Sequence, residues 1–183
     1  MNDCPLVWIM MGVAGSGKTV VGRLLSERLE SDFLEGDRRH SQANILKMLS
    51  HQPLEDADRR QWLLEIEDDI RRVSDRNRET VITCSALKLT YRKQLTALGR
   101  VQLVYLEVPP AELERRLTQR QNHYMQSAML QSQIAAFESI SPEENVITIN
   151  GLLPPIEAVN QLLSQAMQRF PSLKQPWWQR CTQ

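Results

Sequence analysis

Lys18 and Thr19 close a short stretch whose residue types and spacing are suited to holding phosphate groups. Residues 12–19 read GVAGSGKT and fit the pattern G-x-x-x-x-G-K-[ST] at every fixed position. Glycines at this spacing let the backbone turn sharply and point successive N–H groups at phosphate oxygens, next to the positive end of a helix dipole. The lysine would reach the β- and γ-phosphates of a nucleotide, and the threonine hydroxyl would hold Mg²⁺. The residues expected to bind the nucleotide are therefore Gly12, Val13, Ala14, Gly15, Ser16, Gly17, Lys18 and Thr19.

The segments on both sides of this loop are the ones that the motif requires. Residues 6–11 (LVWIMM) are a near-continuous apolar run, which is typical of a strand buried on both faces of a parallel sheet. After the loop, apolar residues recur at helical spacing through Leu29. A glycine-rich turn before a helix is usually only a turn, but here the strand, the Lys-Thr pair and the helix together predict nucleotide binding.

Asp37 ends the next short strand, which we place within residues 31–37. Ligands of open parallel sheets gather at the carboxyl ends of the strands, and the phosphate-binding loop fixes which end that is. If a helix begins near Arg38, then His40, Asn44 and Lys47 form one polar stripe beside Asp37. Each residue alone would suit a solvated helix face, but together beside a strand-end aspartate they favour an acceptor site.

Three cationic residues later in the chain are candidate anion contacts. Asp56 and Asp58 suit the start of a helix, whereas Arg59 in the same first turn is unfavourable and so suggests a ligand. Ser85 is expected to cap a helix that runs to Leu98, with Lys88, Tyr91 and Arg92 on one face.

A polar segment without core periodicity follows the fourth strand and its helix. Arg116, Arg120 and His123 fall at i, i+4 and i+7, and the segment from about 119 to 129 is expected to be a mobile lid.

Further strands are expected at 80–84, 101–108 and 145–150, and a closing helix at 156–170. Alternating strands and helices with the loop after the first strand predict an α/β fold, a three-layer doubly wound P-loop NTPase fold with a five-stranded parallel sheet and a helical lid. We expect one domain over residues 1–170 and a tail over 171–183, whose Trp177 and Trp178 dock on a surface.

The composition of the chain limits the classes of partner and the location that we expect. The 183 residues include 22 basic and 22 acidic ones, which removes the electrostatic argument for a nucleic-acid or membrane partner. No apolar run approaches the roughly 20 residues of a membrane span, and residues 1–5 lack the basic start of a signal peptide, so a cytoplasmic location is expected. The three scattered cysteines indicate reduced thiols rather than a disulfide framework or a zinc site.

The motifs that are absent from the sequence argue against two classes of P-loop protein. The chain has neither N-K-x-D nor D-x-x-G, which argues against a regulatory GTPase. The third strand ends in Thr83-Cys84-Ser85 rather than in a carboxylate, which argues against a motor-type ATPase. Asp37 is then the best candidate to orient an acceptor hydroxyl and take its proton, and the cationic residues suit an anionic polyol. A small-molecule kinase is predicted.

At these residues the sequence resembles the gluconokinase family, small P-loop kinases that phosphorylate the 6-hydroxyl of D-gluconate with ATP. The resemblance extends from Gly12 to about Glu138 and is carried by several separate motifs: residues 12–19, 33–37, 40–44, 47–48, 53–59 with 62–63, 84–88 with 91–92, 116–117 with Arg120 and His123, and 132–133.

The resemblance implies ATP and Mg²⁺ as cofactors, a fold like that of nucleoside monophosphate kinases, and a homodimer. It implies that Arg120 meets the transferring phosphate, and that Arg116 packs against adenine or supports the hinge. Asp37, Lys18 and Arg120 are the expected catalytic residues, and the expected acceptor set is Asp37, His40, Asn44, Arg59, Lys88, Arg92 and His123.

The sequence departs from the family pattern at His51, Tyr124 and Ser139, none of which is an expected catalytic group. Two alternatives stay open. One is a kinase for another sugar acid or a shikimate-like polyol, and the other is a nucleotide-binding module that has lost its activity.

Overall fold

The computed structural model describes residues 7–119 and 127–180, which form a single parallel sheet with helices on both faces. The strand order is β2-β3-β1-β4-β5, and each pairing is parallel. The predicted five-stranded parallel sheet is confirmed. The strands are β1 (Val7–Met11), β2 (Asp32–Glu35), β3 (Thr80–Thr83), β4 (Val101–Glu107) and β5 (Ile147–Asn150).

The helices alternate with the strands along the chain. Short 3₁₀ turns lie at Gly36–Arg39, Pro142–Glu144 and Pro171–Lys174. The α-helices are α1 (Lys18–Leu29), α2 (Gln42–Leu49), α3 (Asp56–Asp75), α4 (Leu89–Thr96), α5 (Pro110–Thr118), α6 (Ser127–Ala136), α7 (Pro155–Arg169) and α8 (Trp177–Arg180).

Strand β1 lies in the middle of the sheet and is buried along its whole length. Because successive strand side chains point to opposite faces, Trp8 and Met10 pack in one core with residues of α1 and α7. Val7, Ile9 and Met11 pack in a second core with residues of α3 and α4. The two cores give the three-layer architecture expected from the sequence.

Two predicted helix starts are wrong, and both lie at the site. The helix expected near Arg38 begins at Gln42, because Gly36–Arg39 forms a 3₁₀ turn and the Ser41 side chain accepts a hydrogen bond from Asn44 N at 3.2 Å. The helix expected from Ser85 begins only at Leu89, after an irregular segment in which Ala86 has a φ of 43°.

The chain end packs against the domain as far as it is described. Leu173 is buried in the first core, and Trp177 Nε1 donates to Glu30 O at 2.9 Å. The Arg78 guanidinium lies 5.4 Å from the centre of the Trp177 ring. The expected docking of this tryptophan is therefore observed.

Two general expectations concern membranes and thiols. No helix within residues 7–119 and 127–180 combines the length and the apolar character that a membrane crossing needs. Cys84 is a buried free thiol, and burial raises its pKa to about 12, so it stays protonated and unreactive.

Candidate active site

A cavity of about 340 Å³ opens at the carboxyl ends of β1, β2 and β3. Its walls come from four parts of the chain that are separated in sequence. Lys18 and Thr19 line it from the end of the phosphate-binding loop, Asp37 from the turn after β2, Arg59 from the first turn of α3, and Gln133 from α6. This is the edge of the sheet at which parallel folds bind their ligands.

The glycines give the loop its shape. Gly12, Gly15 and Gly17 have φ values of 138°, 84° and 99°, a left-handed region that other residues rarely adopt. Gly17 caps the N-terminus of α1, so the first N–H groups of that twelve-residue helix and its dipole face the cavity. Lys18 Nζ donates to Val13 O at 3.0 Å and thus lies along the loop.

Three of the loop N–H groups are used within the protein. Gly12 N donates to Ser85 O at 3.2 Å, and Ser16 N to Val13 O at 3.3 Å. Ala14 N donates to the Gln133 Oε1 atom at 2.8 Å. These three N–H groups hold the loop in shape, and the start of α1 supplies further N–H groups that have no partner within the helix.

A hydroxyl and a carboxylate meet beside the loop. Thr19 Oγ1 donates to Glu35 Oε1 at 2.6 Å, and Glu35, the last residue of β2, also lines the cavity. Thr83 Oγ1 lies 3.4 Å from the same oxygen, and Arg23 makes an ion pair with Glu35 at 3.7 Å.

This pair fits Mg²⁺ bound together with nucleotide phosphates. Mg²⁺ usually keeps several waters and takes one or two carboxylates besides substrate phosphates. No cluster of three or more His, Cys, Asp or Glu that could hold a metal occurs among the described residues. Thr19 and Glu35 could therefore help to hold the ion, but the phosphates and water would have to supply its other ligands.

Close packing of β2 on β3 positions Asp37. A Cβ atom on Gly36 would lie 2.0 Å from Thr83 O, so only glycine lets the chain turn here. Gly36 N donates to Thr83 Oγ1 at 3.1 Å, and Trp62 Nε1 donates to Gly36 O at 2.8 Å. These bonds fix the backbone directly before Asp37 at the cavity wall.

His40 lies flat against an aromatic wall. Its ring stacks on Trp62 with centroids 4.7 Å apart and planes 12° from parallel. Burial lowers the pKa of His40 below its usual 6.5, and Arg59 lowers it further, while Asp37 opposes the shift. The imidazole is therefore neutral near pH 7 and available for hydrogen bonding.

On the acceptor side of the cavity, the Asp56 carboxylate pairs with two cationic side chains. Asp56 Oδ1 and Oδ2 accept hydrogen bonds from Lys88 Nζ at 2.8 and 2.7 Å, and Asp56 Oδ1 accepts one from the Tyr91 hydroxyl at 2.5 Å. Arg59 Nη1 lies 3.9 Å from the same Oδ1. The Lys88 ammonium, with the Tyr91 hydroxyl, lowers the pKa of Asp56, which stays ionised and keeps Lys88 close to Arg59.

Known proteins resemble this chain both in sequence and in fold. A family model described as an AAA domain matches residues 7–140. A gluconokinase of Gluconobacter oxydans is 39% identical over 160 residues, which cover 87% of this chain and 90% of that protein. The crystal structure of a gluconokinase from Sinorhizobium meliloti has a TM-score of 0.82 and 34% identity, covering 93% of this chain and 96% of that one. That of a sugar kinase from Janibacter sp. has a TM-score of 0.83 and 33% identity, over 92% and 98%.

The chain belongs to the gluconokinase family. As a gluconokinase-family protein it brings several residues expected from its sequence to one cavity. Lys18, Thr19, Asp37, His40 and Arg59 all line it.

Asn44 and Lys88 lie next to the cavity wall and act on it indirectly. Asn44 is 6% exposed, donates from Nδ2 to Asp58 O at 2.8 Å, and lies 3.5 Å from His40 Nδ1. Lys88 reaches the site through its ion pair with Asp56.

Arg116 braces the phosphate-binding loop from outside. Its guanidinium donates to Gly151 O at 2.7 Å and lies 3.4 Å from both Gly15 O and Ser16 O. Glu112 Oε1 accepts from Arg116 Nε at 2.8 Å. These contacts agree with a position near the nucleotide and favour support of the loop.

Arg92 corrects a prediction, because the structure keeps it away from the acceptor cavity. Its side chain is 1% exposed and pairs with Glu144 at 2.5 Å, while a second nitrogen donates to Leu87 O at 2.8 Å. This buried ion pair gives Arg92 a structural role and does not bring it to the wall of the acceptor cavity.

Three expectations fall partly or wholly outside the described residues. Arg120 and His123 lie outside them, as does most of the lid expected at 119–129. Their roles stay predictions from the sequence.

Sequence reasoning missed Glu35 and Gln133. Glu35 had a signal, since it is a strand-end carboxylate two residues before Asp37. Gln133 belongs to the family motif at residues 132–133, but no local pattern could place it at the cavity, because its partner Ala14 is 119 positions away in the chain.

Proposed function

We propose that this chain is an ATP-dependent gluconokinase, which transfers the γ-phosphoryl group of ATP to the 6-hydroxyl of D-gluconate. The observation that carries the proposal is the single cavity in which the phosphate-binding loop faces Asp37, His40 and Arg59. Membership of the gluconokinase family supports the choice of acceptor.

The donor half of the reaction needs positioning and charge neutralisation. Lys18 would leave Val13 O and bind the β- and γ-phosphates, with the N–H groups at the start of α1 around them. Thr19 and Glu35 would help to hold Mg²⁺, which neutralises phosphate charge when it is bound.

The acceptor half is organised by Asp37. Its carboxylate would accept a hydrogen bond from the 6-hydroxyl and align that oxygen with the γ-phosphorus. As the new P–O bond forms and the bond to ADP breaks, the hydroxyl proton passes to Asp37. Asp37 lies in the turn after β2, directly after a backbone that Thr83 and Trp62 hold in place, and so meets this requirement without moving far.

The cations and the histidine would recognise the rest of gluconate. Arg59 faces the cavity and suits the substrate carboxylate, and Lys88 adds positive charge from its place on Asp56. His40, neutral at pH 7, suits a sugar hydroxyl. In this account Arg116 supports the nucleotide side, and Arg120 would contact the transferring phosphoryl group.

A homodimer in the cytoplasm, without nucleic-acid or membrane partners, completes the proposal. The resemblance to the family and the balanced charge support it. Size-exclusion chromatography with light scattering tests the dimer, and a monomer mass at micromolar concentration would overturn it.

A coupled assay of ADP release tests the activity. The acceptors are D-gluconate, other sugar acids and shikimate, each compared with a reaction without acceptor. We expect the highest kcat/KM with D-gluconate. Higher efficiency with another acid would reassign the acceptor, and no turnover above background with any of them would overturn the kinase proposal.

A further inference from the structure

Helix α2 is fastened to the first turn of α3 by contacts that the reaction as described so far does not use. Lys47 Nζ donates to Asp58 Oδ2 at 2.6 Å, and Asn44 Nδ2 donates to Asp58 O at 2.8 Å. Both bonds cross from α2 to α3 and end on the same residue. Asp58 therefore receives α2 through its side chain and through its backbone at once.

The structure turns Lys47 away from the place that helical spacing suggests for it. Spacing puts Lys47 on one stripe with His40 and Asn44, yet His40 lines the cavity while the Lys47 ammonium lies against Asp58. Hydrogen bonding to Asp58 raises the pKa of Lys47, and the same bond lowers the pKa of Asp58, so both groups are charged at pH 7. The pair therefore acts on the site through the elements that it joins.

Two residues of the acceptor side lie next to the two ends of this connection. Arg59, which lines the cavity, directly follows Asp58 in α3. His40 also lines the cavity and comes just before α2, and its Nδ1 atom lies 3.5 Å from Asn44 Nδ2. That amide nitrogen is the one that donates to Asp58 O. A shift of α2 along α3 would therefore change the separation of His40 and Arg59.

We propose that Lys47 and Asp58 are positioning residues of the acceptor site, whose ion pair holds α2 on α3 so that His40 and Arg59 contact the acceptor together. The proposal rests on the proposed function in taking a sugar acid as the acceptor. Such a molecule presents a carboxylate and several hydroxyls, and binding both kinds of group at once needs their partners at a fixed separation. Groups that are arranged before binding avoid the cost of ordering them during binding.

The competing explanation is that Asp58 serves only the start of α3. Asp58 Oδ2 also accepts from Glu55 N at 2.7 Å, and the Glu55 side chain accepts from Asp58 N, so the two residues form a capping box. Lys47→Met removes the link to α2 and leaves this cap in place. Glu55→Ala removes one half of the cap and leaves the link in place. The two variants therefore separate the two roles.

We expect Lys47→Met to raise the KM for gluconate about five- to tenfold, as for a charge-assisted hydrogen bond that water partly reaches, with kcat and the KM for ATP near wild type. Lys47→Arg keeps a cation beside the carboxylate and should recover most of the loss. Glu55→Ala should lower the melting temperature and leave the KM for gluconate near wild type.

Arg71→Met is the matched control for these kinetics, because Arg71 pairs with Glu67 and Asp68 elsewhere on α3. It should keep the wild-type KM for gluconate. An unchanged KM in Lys47→Met, or an equal rise in Glu55→Ala, would overturn the proposal. If another acid proves to be the acceptor, the same comparison is made with the KM for that acid.

Hydrogen exchange tests the link without any acceptor. The backbone amides of α2 should exchange about five- to tenfold faster in Lys47→Met than in the wild type, because opening of this helix then breaks one contact fewer. The amides of α7 should exchange at the wild-type rate. Absence of turnover with every acid would overturn the proposed function, whereas unchanged exchange in α2 would overturn the role of this ion pair.

Discussion

Asp37 shows how much of this site depends on one residue held by its neighbours. Gly36 allows the close approach of β2 to β3, and Trp62 holds the Gly36 carbonyl, so the aspartate is presented to the cavity by a fixed backbone. Asp37→Asn removes the proton acceptor but keeps the shape. We expect kcat to fall by about 10²–10⁴-fold, the range of a positioned acid-base group, with the KM for ATP near wild type. Steady-state kinetics with both substrates varied measures this, and a variant that keeps most of its kcat would contradict the role.

Arg59 is expected to set the affinity for the acceptor. Arg59→Ala should raise the KM for gluconate about 10- to 100-fold, because a lost charge-assisted hydrogen bond costs about 1.5–3 kcal/mol, and it should affect the KM for ATP less. Arg60→Ala is the matched control, since Arg60 is the exposed neighbour on the same helix. Equal effects on both substrates would remove Arg59 from the acceptor site.

His40 reports the electrostatics of the cavity. Its pKa should lie below 6.5, because burial and then Arg59 disfavour the protonated ring while Asp37 favours it. Arg59→Ala should therefore raise the pKa of His40, and Asp37→Asn should lower it, as followed by NMR of the ring protons. Since the folded pKa is depressed, the stability linked to this group is present above pH 6.5 and is lost as pH falls through the folded pKa. Shifts of the opposite sign in the two variants would contradict the assigned geometry.

At the scale of elements, local signals predicted the strands and the loop, and distant contacts decided the rest. The loop could be read from eight consecutive residues, and Asp37 from its place after a strand. The structural role of Arg92 could not be predicted locally, because its partner Glu144 lies 52 positions away in the chain and holds the guanidinium inside the protein. The start of α2 at Gln42 did have a local signal, because Ser41 is a typical N-cap residue. The prediction from helical spacing alone did not use it.

The buried pair of Arg92 and Glu144 joins α4 to the turn before β5. Arg92→Met should lower the free energy of unfolding by about 3–5 kcal/mol, because it leaves a buried carboxylate without its partner. The KM for gluconate of the folded protein should stay near wild type. Urea unfolding and kinetics measure the two effects, with the exposed Lys93→Met as control. A raised KM with unchanged stability would restore Arg92 to the acceptor site.

The same pair gives this region a pH dependence. Hydrogen bonding to Arg92 lowers the pKa of Glu144. The stability that it contributes is therefore present above about pH 4.5, the usual pKa of glutamate, and is lost as pH falls through the lowered value.

At the scale of the whole molecule, the fold brings two half-sites together at one edge of a parallel sheet. The loop after β1 and the turn after β2 are separated by β3 in the sheet order, yet both open into one cavity. Helix α6 closes a third side: Gln133 on the helix is bonded to the loop, and Glu138 just after the helix is bonded to the β3–α4 connection. Membership of the gluconokinase family fits this plan, in which a nucleotide and a small acid meet between fixed walls.

The product of the reaction is the most direct test of the central claim. The wild-type protein is incubated with ATP, Mg²⁺ and D-gluconate, and ³¹P and ¹³C NMR identify the phosphate ester and the carbon that carries it. The account predicts one ADP for each phosphate ester, an ester on carbon 6 alone, and its loss in Asp37→Asn. ADP release without a sugar phosphate, or an ester at another carbon, would contradict it.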